Sequence, residues 1–336
     1  MQRAAESTYI MGRPDTGKSF RARELLAARP QARYLDLDPG QGELLAPGVI
    51  GLADSAFGAS AAQARRPAGP SGAAESGTRQ PDRTRAWFVG SASPAGFQTR
   101  FFAGLQWLQD LLEQEGNTAI IDSCGLADGS LGRRFQLRSI ELLRPTRVIL
   151  LGDLDWQPEL EEVLGDRGVE FETSAVSEDA RPRSTAERRR TRERRFRDYF
   201  AGAKERALEL PAHPLIRAAD SPAADSPRAA SGPRRAVASD LRAAADSPAA
   251  DSLRAVSGSD PRAAEIAGEI AEGAILGLCA ADGELLSLAW VQDSPEAAGE
   301  TMKVRSKAFD SGRLDAVVVG KLSLDPIRRG RRRDET

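Results

Sequence analysis

Gly12-Arg13-Pro14-Asp15-Thr16-Gly17-Lys18-Ser19 fits the pattern GxxxxGK[ST] and lies between a short apolar run, Thr8 to Met11, and a helical stretch, Phe20 to Ala28. These residue types suit one task. Glycines let backbone N–H groups curl around phosphate oxygens, the lysine supplies a point charge to the β and γ phosphates, and the hydroxyl after it can reach Mg²⁺. The candidate nucleotide contacts are Gly12, Asp15, Thr16, Gly17, Lys18, Ser19 and Phe20. A chance glycine-rich turn is the competing explanation, and the flanking strand and helix patterns weigh against it.

Two further carboxylates lie where strands should end. In Asp36-Leu37-Asp38-Pro39-Gly40-Gln41, alternation puts Asp36 and Asp38 on one face, and Pro39 stops the ladder, so Asp38 falls at the carboxyl edge where α/β sheets bind ligands. There it could activate a substrate hydroxyl, hold Mg²⁺ through water, or simply cap a turn; spacing alone does not separate these roles. Asp122 closes the run Thr118 to Asp122 ahead of Ser123-Cys124-Gly125 and is placed like a Walker-B carboxylate, with a strand-end turn former as the competing explanation, which makes Ser19 and Asp122 the candidate metal ligands.

A third feature is electrostatic. Residues 181–197 carry nine arginines against Glu187 and Glu193 in a chain whose formal net charge is only -2. Ser184 and Glu187 form a capping-box pattern that predicts a helix running to Phe200, with Phe196, Tyr199 and Phe200 as a stripe that docks it. Alone, such a run reads as a solvated helix in an arginine-rich composition, since arginines number 42 against five lysines. Beside a phosphate loop it reads as a lid that brings arginine to a transferring phosphoryl group.

These groups need a scaffold, and the sequence supplies one. Aliphatic runs at Arg33 to Asp38, Thr118 to Asp122 and Arg147 to Leu151, with a weaker one at Val169 to Thr173, alternate with helical stretches at Phe101 to Glu115 and Leu131 to Leu143. This predicts an α/β P-loop NTPase domain on a mostly parallel sheet, residues 1–216. Residues 59–86 contain almost no large apolar side chain and read as a disordered insertion; residues 217–262, with RAADSPAADSPRAA echoed in LRAAADSPAADSLRAV, read as a low-complexity linker. Runs at Ala274 to Cys279, Leu285 to Val291, Met302 to Val304 and Ala316 to Val319 predict a small C-terminal β module, residues 263–328.

Composition narrows the function. Lys+Arg 47 against Asp+Glu 49 gives no global positive field, so any polyanion site must be local. Two distant cysteines offer neither zinc spacing nor a disulfide framework, and the N-terminal residues lack a signal-peptide apolar core, so a cytoplasmic protein with no membrane association is expected. No Asn-Lys-x-Asp guanine signature follows the fourth run, where Gly152-Asp153-Leu154-Asp155 stands instead, and a small-molecule kinase or a GTP-driven switch ranks last. His213, beside prolines, and Trp107 and Trp290, at core-like spacings, are given no functional role.

Taken in order, GRPDTGKS, YLDLDPGQGE, FVGSASPAGF, AIIDSCGLADGSLGRRFQLRSIELLRPTRVI and RSTAERRRTRERRFRDYF resemble the polynucleotide 5′-hydroxyl kinases related to the RNA-kinase subunit of the pre-mRNA cleavage complex and to the ribosomal-RNA-processing kinase. The resemblance spans roughly residues 8–200, and GAILGLCAADGELLSLAWVQD with LDAVVVGKLSLD is similar to that family's C-terminal β domain. It implies an ATP- and Mg²⁺-dependent transfer of the γ-phosphate to the 5′-hydroxyl of RNA or DNA, with GTP not distinguished from ATP. By position it implies catalytic roles for Lys18, Asp38, Arg183 and Arg188, with Arg189 or Arg190 as substitutes, and a clasp at Ser91 to Pro94 in which Ser93 is the favoured hydroxyl. Ser130 to Gly132 fall in the Gly-bearing segment after the third run. Leu126 stands where the family often has an aromatic residue, which removes a base-stacking platform worth about 1 to 3 kcal/mol. The family's usual N-terminal β domain has no counterpart in this sequence, and no protein partner is named by it. A nucleotide-binding scaffold of weak catalysis in an RNA-processing complex is the alternative.

Overall fold

A computed structural model of the chain describes residues 6–54, 84–115, 118–176, 180–218, 261–293 and 301–324. Most of the expected insertion and linker therefore lies outside the described residues. The first layer is a seven-stranded sheet built from β1 (Ser7–Gly12), β2 (Arg33–Leu37), β3 (Val49–Ala53), β4 (Arg85–Phe88), β5 (Ala119–Ser123), β6 (Arg147–Leu151) and β7 (Glu170–Ser174). Its order is β4-β3-β2-β5-β1-β6-β7. The run from β2 to β7 is parallel, while β3 and β4 add an antiparallel edge.

Burial explains the central strands. β2 and β5 are buried at every residue, as expected of strands covered on both faces by α1 (Lys18–Ala28), α2 (Gln98–Glu115), α3 (Gly129–Leu143) and α4 (Gln157–Asp166). β1, β2 and β5 all deliver their carboxyl ends to one edge, so the phosphate loop, Asp38 and Asp122 emerge side by side. The strands β3 and β4 were not anticipated. β3 is a short VIGLA run broken by a glycine, and β4 begins inside the stretch read as an insertion, so Arg85 and Ala86 belong to the sheet instead.

The second sheet holds β8 (Lys204–Glu209), β9 (Leu215–Arg217), β10 (Ala274–Cys279), β11 (Leu285–Val291), β12 (Thr301–Ser306) and β13 (Ala316–Ser323), in the order β8-β12-β11-β10-β13-β9. All pairs are antiparallel except β13 with β9. Its two edges come from before residue 218, so the sheet boundary does not coincide with the expected division at 216. The edge strand KERALE is mostly solvent-facing and carries no aliphatic run to announce it.

One apolar cluster runs through both sheets, with Trp87 and Phe88 of β4 packed among Ile275, Cys279, Leu288, Trp290 and Val318. Contact is close: a Cβ at Gly277 would lie 2.5 Å from the Phe88 ring. Arg100 of α2 adds a polar tie, donating from Nε to the Phe88 carbonyl at 3.0 Å while its guanidinium sits 4.3 Å from the Trp87 ring centroid. Gly277→Val should therefore cost about 1 to 3 kcal/mol through overpacking, read as a lower urea midpoint. An unchanged midpoint would mean that the sheets can part without loss.

Candidate active site

The phosphate loop leaves β1 at Gly12 and enters α1 at Lys18, with Gly17 in the left-handed region at φ 94°. Lys18 is buried, and its Nζ donates to the carbonyls of Gly12 at 3.1 Å and Arg13 at 2.7 Å. The Thr16 hydroxyl donates to the Arg13 carbonyl at 2.9 Å, closing the turn. Thr16, Gly17 and Phe20 also line an open cleft of about 430 Å³ with Arg21, Glu24, Leu151, Ser174 and Ala175. This cleft continues from the loop toward the ends of β6 and β7.

Arg13 was not singled out by the sequence. Its guanidinium donates to Asp128 Oδ1 at 2.7 Å, the Asp153 carbonyl at 2.9 Å and Asp155 Oδ1 at 3.2 Å. The loop is thereby fastened to the turns that follow β5 and β6. A motif position written as x carried no signal for this role.

Asp122 is fully enclosed, and burial, with smaller contributions from Asp38 and Glu43, pushes its carboxyl up to about 6 despite the neighbouring Ser19 hydroxyl and Lys18 ammonium. Its Oδ2 accepts from the Tyr34 hydroxyl at 3.0 Å. Its Oδ1 is buried with no hydrogen-bond partner among the described residues. An orphaned carboxylate oxygen beside a serine hydroxyl is a hard, oxygen-only donor set, which fits Mg²⁺, an ion that takes one or two protein ligands and completes its shell with water and phosphate. Among the described residues no group of three or more His, Cys, Asp or Glu side chains forms an all-protein cage.

Asp36 and Asp38 do different things. Asp36 is buried and accepts from the backbone N–H groups of Asp38 at 3.1 Å and Leu44 at 3.0 Å, and from that of Glu43, so it folds the segment after β2 around itself. Burial, followed by the charge of Asp122, pushes its carboxyl up to about 8. Gly42 is required here, because a Cβ would sit 2.6 Å from both Asp36 carboxylate oxygens. Asp36→Ala should leave those N–H groups without an acceptor and lower stability by roughly 2 to 4 kcal/mol in urea unfolding. A loss below about 0.5 kcal/mol would show that the loop is held elsewhere.

Asp38 caps the turn with one carboxylate oxygen and leaves the other, Oδ2, without a hydrogen bond among the described residues. The capping oxygen, Oδ1, accepts from Gly40 N at 2.8 Å and Gln41 N at 2.9 Å. The clasp lies against this turn: a Cβ on Gly40 would be 2.5 Å from the Ala92 carbonyl. Ser93 is exposed, and its hydroxyl accepts from Ala95 N at 3.3 Å, without a hydrogen bond to Lys18.

The segment after β5 is held from beneath. Gln136 of α3 is buried, accepts from the Tyr9 hydroxyl at 2.6 Å, and donates from Nε2 to the carbonyls of Cys124 at 3.2 Å and Leu126 at 2.8 Å. Leu126 is partly buried and packs against the core, and burial pushes the Cys124 thiol up to about 12. Ser130 and Gly132 lie in the first turn of α3, beside the phosphate loop's Arg13–Asp128 tie.

The arginine-rich segment forms α5 (Thr185–Phe200) with the expected capping box: Glu187 N donates to Ser184 Oγ at 3.2 Å and Ser184 N donates to Glu187 Oε2 at 2.7 Å. Its C-terminal end is docked by buried Phe196 and Phe200, by Phe200 at 5.9 Å from Trp290, and by the Tyr199 hydroxyl, which accepts from Leu288 N at 3.1 Å. Its N-terminal end reaches the phosphate loop. Arg183 donates to Asp15 Oδ1 from Nε at 3.0 Å and Arg188 donates to Asp15 Oδ2 from Nη2 at 2.6 Å. Burial works to raise the Asp15 carboxyl, but these bonds outweigh it and hold the group below its ordinary value. Arg189 instead pairs with Glu193, and Arg190, Arg194 and Arg197 are exposed at helical spacing on the helix.

No helix among the described residues is long and apolar enough to cross a membrane. The chain is 27% identical over 199 residues to a polyribonucleotide 5′-hydroxyl-kinase of Pyrococcus furiosus, covering 58% of this chain and 51% of that protein. A polyribonucleotide 5′-hydroxyl-kinase of Methanocaldococcus jannaschii is 27% identical over 201 residues, covering 58% and 50%. The chain thus spans about half the length of the curated relatives it matches. In fold it is similar to Clp1p in the solved wild-type Clp1p–Pcf11p complex, with a TM-score of 0.63 at 14% identity over 95% of this chain and 74% of that one. Residues 12–202, from the first glycine of the phosphate loop to just past the end of α5, match the mRNA cleavage and polyadenylation factor CLP1 P-loop family, and the chain belongs to that family.

Proposed function

We propose that the protein is an ATP- and Mg²⁺-dependent polynucleotide 5′-hydroxyl kinase that transfers the γ-phosphate to the 5′-hydroxyl of an RNA or DNA strand in RNA processing or repair. The observation that carries this reading is the reach of Arg183 and Arg188 from the lid into the phosphate loop that holds Lys18. A loop lysine with two arginines gathered over it suits the charge of a phosphoryl group in flight. The names of the archaeal relatives support a polyribonucleotide substrate.

In this mechanism the loop N–H groups cradle the nucleotide phosphates, and Lys18 turns from the loop carbonyls to the β and γ oxygens. Ser19 and Asp122 would hold Mg²⁺, which when bound neutralises charge on those oxygens. Asp38 Oδ2 accepts the proton of the attacking 5′-hydroxyl, its other oxygen kept in place by Gly40 and Gln41. Arg183 and Arg188 stabilise the equatorial oxygens, and the exposed Arg190, Arg194 and Arg197 offer a basic flank to the strand's phosphates.

The test is transfer of label from γ-labelled ATP to 5′-hydroxyl RNA and DNA oligonucleotides. Label at the 5′ end of either polymer, dependent on Mg²⁺, is the expected result. Binding of ATP without labelling of either polymer across Mg²⁺ and length series would overturn the kinase and leave a nucleotide-bound scaffold.

A further inference from the structure

The fourth residue of the phosphate loop has no prescribed chemistry in the GxxxxGK[ST] pattern, yet Asp15 is the most heavily bonded side chain in the loop's contact with the lid. Its carboxylate is only 4% exposed and receives the Arg183 backbone N–H at 2.9 Å, Arg183 Nε at 3.0 Å and Arg188 Nη2 at 2.6 Å. Its backbone is left-handed, with φ 62°, a conformation in which few residues other than glycine, asparagine and aspartate are at ease. The loop geometry therefore turns this one side chain toward the lid.

Two details give the arrangement a direction. Arg183 precedes the cap of α5 and Arg188 lies in its first turns, so both belong to the end of the helix that is not anchored by Phe196, Phe200 and Tyr199. Without a shared anion, two guanidiniums so close would repel and their long side chains would sample many rotamers. Moreover, Arg188 does not spend all its donors on Asp15: its Nε is buried and has no hydrogen-bond partner among the described residues. A buried, unfilled N–H on a guanidinium held at a phosphate loop matches an anionic oxygen.

We propose that Asp15 is a positioning residue for phosphoryl transfer, coupling the phosphate loop to the lid by holding Arg183 and Arg188 over the loop with the Nε–H of Arg188 left for an oxygen of the transferring group. This rests on the kinase reading above. Asp15 touches no reacting atom; it acts through the arginines, and its own charge is covered by them, so it need not repel the triphosphate.

The test compares the unaltered chain with Asp15→Asn, Asp15→Glu, Arg188→Gln and the double variant Asp15→Asn/Arg188→Gln. Asparagine tolerates the left-handed backbone and keeps the side chain's shape, so the loop should stay folded. Expected for Asp15→Asn is a fall in kcat of roughly 10- to 100-fold with the KM for ATP changed less than about threefold, as displacement of a catalytic group by an ångström produces. Asp15→Glu should recover part of the rate. The double variant should be slowed by less than the product of the two single effects, because part of what Asp15 does passes through Arg188 and is already lost with it, while its hold on Arg183 remains. Hydrogen exchange supplies a second readout: backbone amides of residues 183–188 should exchange faster in Asp15→Asn, with the rest of α5 unchanged.

A kcat for Asp15→Asn within twofold of the unaltered chain, effects of the two substitutions that multiply, or unchanged exchange in 183–188 would each overturn the role assigned to Asp15 while leaving the kinase intact. Absence of transfer by the unaltered chain overturns the kinase reading itself and the role in transfer with it, and the two failures are told apart by that control.

Discussion

Lys18→Ala is expected to lower phosphoryl transfer by about 10³-fold, in the range that loss of a charged group facing a transferring phosphoryl produces. The structure explains why so large an effect should come with little structural damage. The Lys18 ammonium is bonded only to the carbonyls of Gly12 and Arg13, both of which the loop itself turns inward, and no carboxylate pairs with it among the described residues. Removing it also relieves the desolvation of a buried cation, so the net stability change should stay within about 1 to 2 kcal/mol. Lys18→Arg should not restore the rate, since a planar guanidinium cannot replace a compact ammonium in a site where the lysine is 6% exposed. Single-turnover transfer measured beside urea unfolding decides the matter. A variant that keeps a tenth of the rate would remove Lys18 from the chemistry, and one that unfolds would assign it to the loop's structure.

How much of this was legible in the residues depends on which forces hold each part. The central strands announce themselves because a parallel strand buried on both faces must be apolar throughout, as in Ala119 to Ser123, where only Asp122 and Ser123 at the carboxyl end break the run. The capping box at Ser184 and Glu187 and the docking stripe at Phe196 and Phe200 are local patterns that needed no tertiary knowledge. The edge strand β8 escaped because edges are chosen for solvent: Lys204 to Glu209 carries four charged residues out of six, and its pairing with β12 joins segments nearly a hundred residues apart. In the site, positions could be read but partners could not. Nothing local says that Asp15 meets arginines 168 and 173 residues away, that Arg13 fastens three loops, or that Gln136 carries the segment after β5. Those contacts exist only because the sheet order brings β1, β5 and β6 together and the second sheet anchors the C-terminal end of α5.

Asp38→Asn should cut kcat by about 10²- to 10⁴-fold, the usual contribution of a positioned general base, with no loss of stability beyond about 0.5 kcal/mol. Sequence left the turn cap, the base and a water-mediated hold on Mg²⁺ as rival explanations for this residue; the structure shows the cap at Oδ1, and the proposed mechanism assigns the base to Oδ2. Oδ1 accepts from Gly40 N and Gln41 N, and an asparagine can keep that oxygen in the same place. What asparagine cannot keep is Oδ2, which becomes an amide NH₂ and can take no proton from a hydroxyl. The substitution therefore removes the chemistry and spares the turn, while Asp38→Ala removes both and should also destabilise the segment that Asp36 and Gly42 fold beneath it. Comparing the two variants in the labelled-transfer assay and in unfolding isolates each role. Full activity in Asp38→Asn with a destabilised Asp38→Ala would make this aspartate a turn cap alone, and the proton acceptor would then have to be sought among the other groups at the carboxyl edge of β2 and β5.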